Sequence, residues 1–166
     1  MDAPAEGSRS ASRPWTGGVV LMLLVLGLDQ VSKWWIVSKI MVPPREIVLT
    51  PFFNIVMVWN RGITFGLFGG APEAGRWILV GLSLLIVAVL AFWMVRTTRS
   101  WVAGALGAVI GGAVGNIIDR LHYGAVADFL DFHYAGWHWP AFNVADSAIV
   151  IGVGVLMLDA FITAKE

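Results

Sequence analysis

Four apolar stretches constrain the fold of this chain more than any other feature of its 166 residues. A helix that crosses the hydrocarbon core of a bilayer needs about 20 predominantly apolar residues. The sequence predicts such helices at about 17–37, 74–95, 101–121 and 144–163. Hydrophobic residues make up 58% of the chain and charged residues only 13%, against about 25% charged in a soluble domain. The predicted fold class is an all-α polytopic membrane protein with four transmembrane helices.

The stretches between the helices predict how the chain is organised. Residues 1–16 are interpreted as a disordered cytoplasmic tail and residues 17–166 as a single four-helix membrane domain. The first apolar run continues through Asp29 and Lys33 with no small-residue cleavage site, so it is interpreted as an uncleaved helix. The connection at about 41–73 is rich in β-branched and aromatic residues and predicts a small extracytoplasmic β-rich segment. A second long outer connection is predicted at about 122–143.

Basic residues predict the orientation of the bundle. Cytoplasmic connections of membrane proteins carry an excess of lysine and arginine. One side of the predicted bundle would carry Arg9, Arg13, Arg96, Arg99 and Lys165. Both termini are therefore expected in the cytoplasm, and the two long connections on the outer side.

The composition argues against several classes of function. Lys+Arg and Asp+Glu are both 11, and no basic stripe occurs, so no nucleic-acid partner is expected. The absence of cysteine rules out disulfides, a thiolate nucleophile and cysteine metal sites. No His-Glu-x-x-His pattern occurs, so His122, His133 and His138 are interpreted as interfacial side chains and no metal is predicted. The pairs Ser32–Lys33 and Ser38–Lys39 are adjacent on a helix and do not face each other, which disfavours a serine–lysine dyad.

Polar side chains from separate stretches are predicted to lie at one depth, near the outer ends of the helices. Ionisable groups within membrane spans are costly and are candidates for function. The set comprises Asp29, Asn60, Asn116, Asp119, Arg120, Asp128, Asn143 and Asp146.

Two of these acidic groups also have a structural interpretation. Asp29 precedes Lys33 by one helical turn, so the two are either an ion pair or an interfacial anchor for lipid head groups. Asp119 is adjacent to Arg120. It is interpreted as neutralising either Arg120 or another cation, and so as holding the bundle together.

Asp128 and Asp146 have structural interpretations too, but they also allow chemistry without a cofactor. Asp128 reads as an ordinary surface-loop aspartate, and Asp146 follows Asn143 as an N-terminal cap of the fourth helix. Two neighbouring aspartates, however, cannot both ionise comfortably, so one keeps a proton. The ionised group activates water and the protonated group assists the leaving nitrogen. Such pairing requires the second outer connection to fold back over the fourth helix.

Five short blocks occur in order along the chain. They are 29–33 (DQVSK), 60–66 (NRGITFG), 111–120 (GGAVGNIIDR), 124–129 (GAVADF) and 142–147 (FNVADS). Jointly, and with the four-span layout over about 17–163, they resemble the bacterial lipoprotein signal peptidases, also called signal peptidase II. Two departures are that Ile63 and Thr64 stand where the family usually has small residues, and Ala127 where it usually has a β-branched one.

The resemblance implies a membrane aspartyl endopeptidase that removes the signal peptide from diacylglyceryl-modified prolipoproteins, cutting just before the lipidated cysteine. The family's two catalytic aspartates fall on Asp128 and Asp146. Diacylglyceryl-prolipoproteins and membrane lipids are the expected partners, and the chain is expected to be monomeric in the bacterial inner membrane. The substrate-binding or supporting positions implied are Asp29, Asn60, Gly62, Asn116, Asp119, Arg120 and Asn143.

Two alternative functions remain open from the residues alone. A proton-coupled transporter would place carboxylates across the whole bilayer depth, whereas here the inner halves of the spans are almost uncharged. A non-catalytic membrane chaperone or assembly subunit would use the polar cluster only to pair helices.

Overall fold

The computed structural model describes residues 13–62 and 72–164. It contains four long helices, α1 (Pro14–Trp35), α2 (Pro72–Arg96), α3 (Ser100–Tyr123) and α4 (Val144–Thr163), all long and apolar enough to cross a membrane. The predicted four-helix class is confirmed. The helix α1 begins earlier than predicted, because proline is well suited to the first helical turn, and it continues into a π-helical turn at Ile36–Ile40.

Three sequence predictions fall on other parts of the chain. Residues 1–12 of the predicted tail, residues 63–66 of the second block, and Lys165 lie outside the described residues.

Helix α3 lies in the centre of the bundle and packs against the other three helices. Its glycines make this close packing possible, as small residues commonly do in membranes. A Cβ built at Gly111 would lie 2.5 Å from Met22 O of α1, and one built at Gly112 would lie 2.5 Å from Ala145 O of α4. Most of α3 is therefore buried, whereas the other three helices expose apolar side chains along their length.

A four-stranded antiparallel sheet covers one end of the bundle, which we call the sheet end. Its strands are β1 (Ile47–Thr50), β2 (Phe53–Asn60), β3 (Val126–Tyr134) and β4 (Trp137–His138), in that spatial order. The predicted β-rich segment is confirmed by β1 and β2. The strands β3 and β4 lie in the second long connection, for which no strand was predicted. Pairing of β2 with β3 joins the two connections into one sheet.

The turn at Gly124 directs β3 back across the helix ends. Gly124 has φ +76°, a left-handed conformation that glycine adopts without steric cost, and its N–H donates to Arg120 O over 3.1 Å. Two residues into β3, the N–H of Ala127 donates to Asp119 Oδ2 over 3.1 Å. The first four residues of β3 are consequently buried beside the ends of α3 and α4.

Candidate active site

Asp128 is a buried carboxyl group on β3 that accepts hydrogen bonds from two asparagines. Its side chain is 1% exposed, so the interpretation as a surface-loop residue is wrong. Asn143 Nδ2 donates to Asp128 Oδ1 over 2.7 Å, and Asn60 Nδ2 donates to Asp128 Oδ2 over 3.0 Å. The register of the sheet explains the second contact, because Asn60 ends β2 opposite Val126 of β3. The pairing of the two outer connections thus positions this carboxyl group.

Asp146 lies in the first turn of α4, where it forms a capping box with Asn143. The N–H of Asp146 donates to Asn143 Oδ1 over 2.9 Å, and the N–H of Asn143 donates to Asp146 Oδ2 over 3.2 Å. The predicted capping role is confirmed. The other oxygen, Oδ1, accepts from Asn116 Nδ2 over 2.8 Å. The carboxyl group is therefore fixed by α3 on one side and by the end of the second connection on the other.

Asn143 joins the two aspartates. It is fully buried and uses its Nδ2 toward Asp128 and its Oδ1 toward the N–H of Asp146. The second connection does fold back over the start of α4, as the pairing of these aspartates requires. The structure thus brings Asp128 and Asp146 to opposite ends of a single amide.

Burial dominates the electrostatics of Asp128. Removal from water, with a smaller contribution from the nearby charge of Asp146, raises the pKa of Asp128 to about 6. Hydrogen bonds from Asn60 and Asn143 and the positive charge of Lys33 act in the opposite direction but do not cancel the effect of burial. Asp128 therefore holds its proton at a pH where an ordinary aspartate is fully ionised.

A buried ion cluster of Lys33, Asp29 and Asp119 is connected to Asp146 through Asn116. Lys33 Nζ lies 2.9 Å from Asp29 Oδ2 and 2.9 Å from Asp119 Oδ2, and all three side chains are almost fully buried. The predicted pair of Asp29 with Lys33 is confirmed, and burial excludes a lipid head-group anchor. The cation that neutralises Asp119 is Lys33 rather than Arg120. Asp29 also accepts from the N–H of Ala145 over 2.9 Å, so the cluster connects α1, α3 and α4.

The third donor of Lys33 extends this cluster to the candidate site. Lys33 Nζ donates to Asn116 Oδ1 over 2.9 Å, and Asn116 in turn donates to Asp146. The sequence pattern indicated Lys33 as an ion-pair partner of Asp29, and Lys33 was not among the predicted site residues. The available signal was that Asp29 and Asp119 both required a cation.

Gly62 and Arg120 complete the predicted set. Gly62 has φ +81°, and its N–H donates to Asn60 Oδ1 over 2.8 Å, which directs the amide nitrogen of Asn60 toward Asp128. Arg120 donates from Nη1 to Asn116 O over 3.3 Å and interacts electrostatically with Asp146 and Asp128. Its Nε is buried without a hydrogen-bond partner within the described residues. All nine predicted site residues therefore lie around one point at the sheet end.

The histidines of the second connection belong to a different cluster on the sheet. His138 Nδ1 lies 2.9 Å from Asp131 Oδ2, and His133 Nε2 lies 3.3 Å from Asn54 Oδ1. Over residues 13–62 and 72–164, no three histidine, aspartate or glutamate side chains are arranged to hold a metal ion. The candidate site is thus built from carboxyl, amide, ammonium and guanidinium groups.

Comparison with known proteins identifies the family. A sequence model of the family described as signal peptidase (SPase) II matches residues 21–162. The chain belongs to the signal peptidase II family. Membership in signal peptidase II implies protease activity, and the four apolar helices agree with a multi-pass protein of a bacterial inner membrane.

Individual members of signal peptidase II are similar over most of their length. The chain is 48% identical over 150 residues to a lipoprotein signal peptidase of Beijerinckia indica, covering 90% of this chain and 89% of that protein. It is 45% identical over 148 residues to a lipoprotein signal peptidase of Methylobacterium sp. (strain 4-46), covering 89% and 90%. A solved structure described as a bacterial membrane enzyme, obtained by the in meso method, superimposes with a TM-score of 0.75 at 27% identity over 88% of each chain.

Proposed function

We propose that this chain is an aspartyl endopeptidase that removes the signal peptide from diacylglyceryl-modified prolipoproteins, cutting just before the lipidated cysteine. Asp128 and Asp146 are the proposed catalytic pair. The observation that carries the proposal is the shared contact with Asn143, whose side-chain amide donates to the Asp128 carboxyl group and whose backbone N–H donates to the Asp146 carboxyl group. The names of the relatives, which are lipoprotein signal peptidases, support the class of substrate.

The chemistry follows from two carboxyl groups that share one proton. One ionised group takes a proton from water as the water attacks the scissile carbonyl, while the protonated group hydrogen-bonds that carbonyl. The same proton is then delivered to the leaving nitrogen. The raised pKa of Asp128 supports this mechanism, because one carboxyl group of the pair must keep its proton at a pH where an ordinary aspartate has lost it. The pair titrates as a unit, so the two steps in pH belong to both aspartates together.

Three side chains around the pair are proposed to position the substrate. Arg120 has a buried Nε without a hydrogen-bond partner among the described residues, so a substrate carbonyl oxygen is a suitable acceptor for it. Asn60 and Asn143 have amide groups directed at Asp128 and define the side from which a peptide approaches.

An apolar groove next to Asp146 supports a lipid-modified substrate. The groove has a volume of about 460 Å³ and contains Asp146 and Ser147 at one end. Its remaining walls are apolar, formed by Trp139, Pro140, Ala141, Phe142, Val150 and Ile151. An acyl chain lying here removes apolar surface from water while the thioether-linked cysteine stays close to the carboxyl groups.

The proposed orientation places this groove and the site near the periplasmic face, with both termini in the cytoplasm and the chain acting as a monomer among membrane lipids. Arg96 and Arg99 lie at the end of the bundle opposite the sheet, in agreement with the positive-inside tendency. A substrate whose lipid is held in the outer leaflet then meets the site without leaving the membrane.

Cleavage of a diacylglyceryl-modified precursor peptide by the purified full-length chain in lipid tests the proposal. Asp128→Asn and Asp146→Asn should each lower kcat by at least about 10³-fold while the protein stays inserted. Asp131→Asn is the matched control, since Asp131 is a buried aspartate on the same strand that bonds to His138 instead. Full cleavage by either of the first two variants would disprove the catalytic pair.

A further inference from the structure

Lys33 is a buried lysine whose three N–H donors all have partners. It is 2% exposed, and its Nζ contacts Asp29 Oδ2, Asp119 Oδ2 and Asn116 Oδ1, each over 2.9 Å. An ammonium group has three donors and no acceptor, so this arrangement leaves no donor free. Two of the contacts neutralise charge. The third is made to a neutral amide, and it needs a separate explanation.

The contact between Lys33 and Asn116 determines which side of the Asn116 amide, Oδ1 or Nδ2, faces Asp146. Asn116 Oδ1 accepts from Lys33, and on the opposite side Asn116 Nδ2 donates to Asp146 Oδ1 over 2.8 Å. A flipped amide would present its NH₂ group to the ammonium and its oxygen to the carboxylate. Both contacts would be repulsive, so the positive charge of Lys33 selects one of the two orientations.

We infer that Lys33 is a positioning residue of the active site, which fixes the amide of Asn116 so that Asp146 is held by a hydrogen-bond donor. The inference rests on the proposed function, in which Asp146 belongs to the catalytic pair. Lys33 does not touch the reacting atoms and acts only through Asn116. The charge of Lys33 also reaches Asp128, where it lowers the pKa of that carboxyl group.

The charged groups around Lys33 determine which substitution can remove its ammonium group while keeping the net charge of the buried cluster. Asp29 lies on α1, Asp119 and Arg120 on α3, Asp128 on β3, and Asp146 at the start of α4. Removing Lys33 alone would leave two buried carboxylates without a cation, which is strongly destabilising. The natural cluster of Lys33, Asp29 and Asp119 has a formal charge of −1, and the double variant K33M/D119N keeps it at −1.

The decisive comparison is between D119N, which retains Lys33, and K33M/D119N, which does not. With the full-length chain in lipid and a diacylglyceryl-modified precursor peptide, the double variant should have a kcat about 30-fold lower than D119N, with KM within about threefold. The decline of kcat/KM at alkaline pH should also move to higher pH, because a positive charge that lowers the pKa of Asp128 is gone. Equal kcat values and equal pH profiles would overturn the inference.

A further variant covers the case in which the double variant does not fold. Asn116→Leu breaks the same link while Lys33 keeps both carboxylate partners, so the two buried ion pairs are retained. A similar loss of kcat supports the inference, and an unchanged kcat overturns it.

Parallel assays of D128N and D146N separate this inference from the proposed function. If either of them cleaves normally, the proposed function fails. If both are inactive while K33M/D119N equals D119N, only the role of Lys33 fails.

Discussion

Asn143 Nδ2 donates to Asp128 Oδ1 over 2.7 Å, and the same residue caps the helix that begins beside Asp146. One side chain therefore has two separable tasks. Its oxygen stabilises the first turn of α4, and its nitrogen fixes a carboxyl group on another element. A change at this position affects stability through the first task and catalysis through the second.

Substitution of Asn143 separates these tasks. Serine is as good an N-cap as asparagine but is too short to reach Asp128, whereas alanine provides neither contact. Asn143→Ser should have a free energy of unfolding about 1 kcal/mol higher than Asn143→Ala, because serine keeps the helix cap and alanine does not. Both should lower kcat by at least about 10²-fold, because each removes a donor to a catalytic group. Thermal unfolding and peptide cleavage, measured on the same samples, check both parts; an active Asn143→Ser variant would contradict the second.

The raised pKa of Asp128 predicts the pH dependence of the reaction. Burial keeps Asp128 protonated up to about pH 6, so the free enzyme loses the proton of the pair as the pH rises beyond that value. The ratio kcat/KM should therefore decline on the alkaline side of about pH 6. Initial rates at low substrate concentration across the pH range measure this decline. A constant kcat/KM up to pH 9 would be incompatible with a protonated Asp128 as the required species.

Asn60 affects the pH at which kcat/KM declines. Its hydrogen bond to Asp128 favours the ionised carboxylate and so lowers the pKa of Asp128. Asn60→Leu replaces the amide donor with an apolar side chain of similar size, so the pKa of Asp128 should rise. The alkaline decline of kcat/KM should then move to higher pH, whatever happens to its maximum. Movement toward lower pH would show that solvent entry outweighs the lost hydrogen bond.

Gly115 should not tolerate even a methyl group. A Cβ at this position would overlap Oδ2 of Asp29, and this carboxyl group is held in place by Lys33 at Oδ2 and by the N–H of Ala145 at Oδ1. Gly115→Ala should therefore destabilise the bundle by about 1–3 kcal/mol and lower the yield of folded protein. Gly27→Ala on α1 is the matched control, because a Cβ there meets nothing within 4 Å. Thermal unfolding of the two variants in the same lipid tests the difference.

The groove beside Asp146 predicts an effect that depends on the lipid of the substrate. Val150→Trp should fill the groove and raise KM for a diacylglyceryl-modified peptide by about tenfold, with a much smaller effect for a peptide with shortened acyl chains. Leu158→Trp, on an exposed part of the same helix outside the groove, is the control. An equal effect of Val150→Trp on both peptides would assign the groove to another part of the substrate.

The helices could be predicted because the bilayer fixes their length and their apolar character. The limits of α4 agree with the prediction, and those of the other helices differ by a few residues at their ends. The strand β3 was not predicted, since its aspartates and histidines obscure the alternation of a half-buried strand and its partner β2 lies far away in the sequence.

The candidate site shows the same division. Asp128 and Asp146 could be named from short sequence blocks, but the contact of Asp128 with Asn143 depends on the turn at Gly124 and on sheet pairing. The importance of Lys33 was hidden for a similar reason: its second carboxylate partner, Asp119, lies on another helix.

The central position of α3 restricts how a membrane-embedded polypeptide approaches this molecule. Because that helix occupies the centre of the bundle over the part of the chain that the structure describes, a foreign hydrophobic segment is expected to travel along the perimeter, between the protein and the surrounding lipid. The enzyme then needs neither a water-filled passage nor an opening between its helices to admit a helical guest. Lateral diffusion in the plane of the bilayer is enough to deliver the segment and to carry the severed piece away.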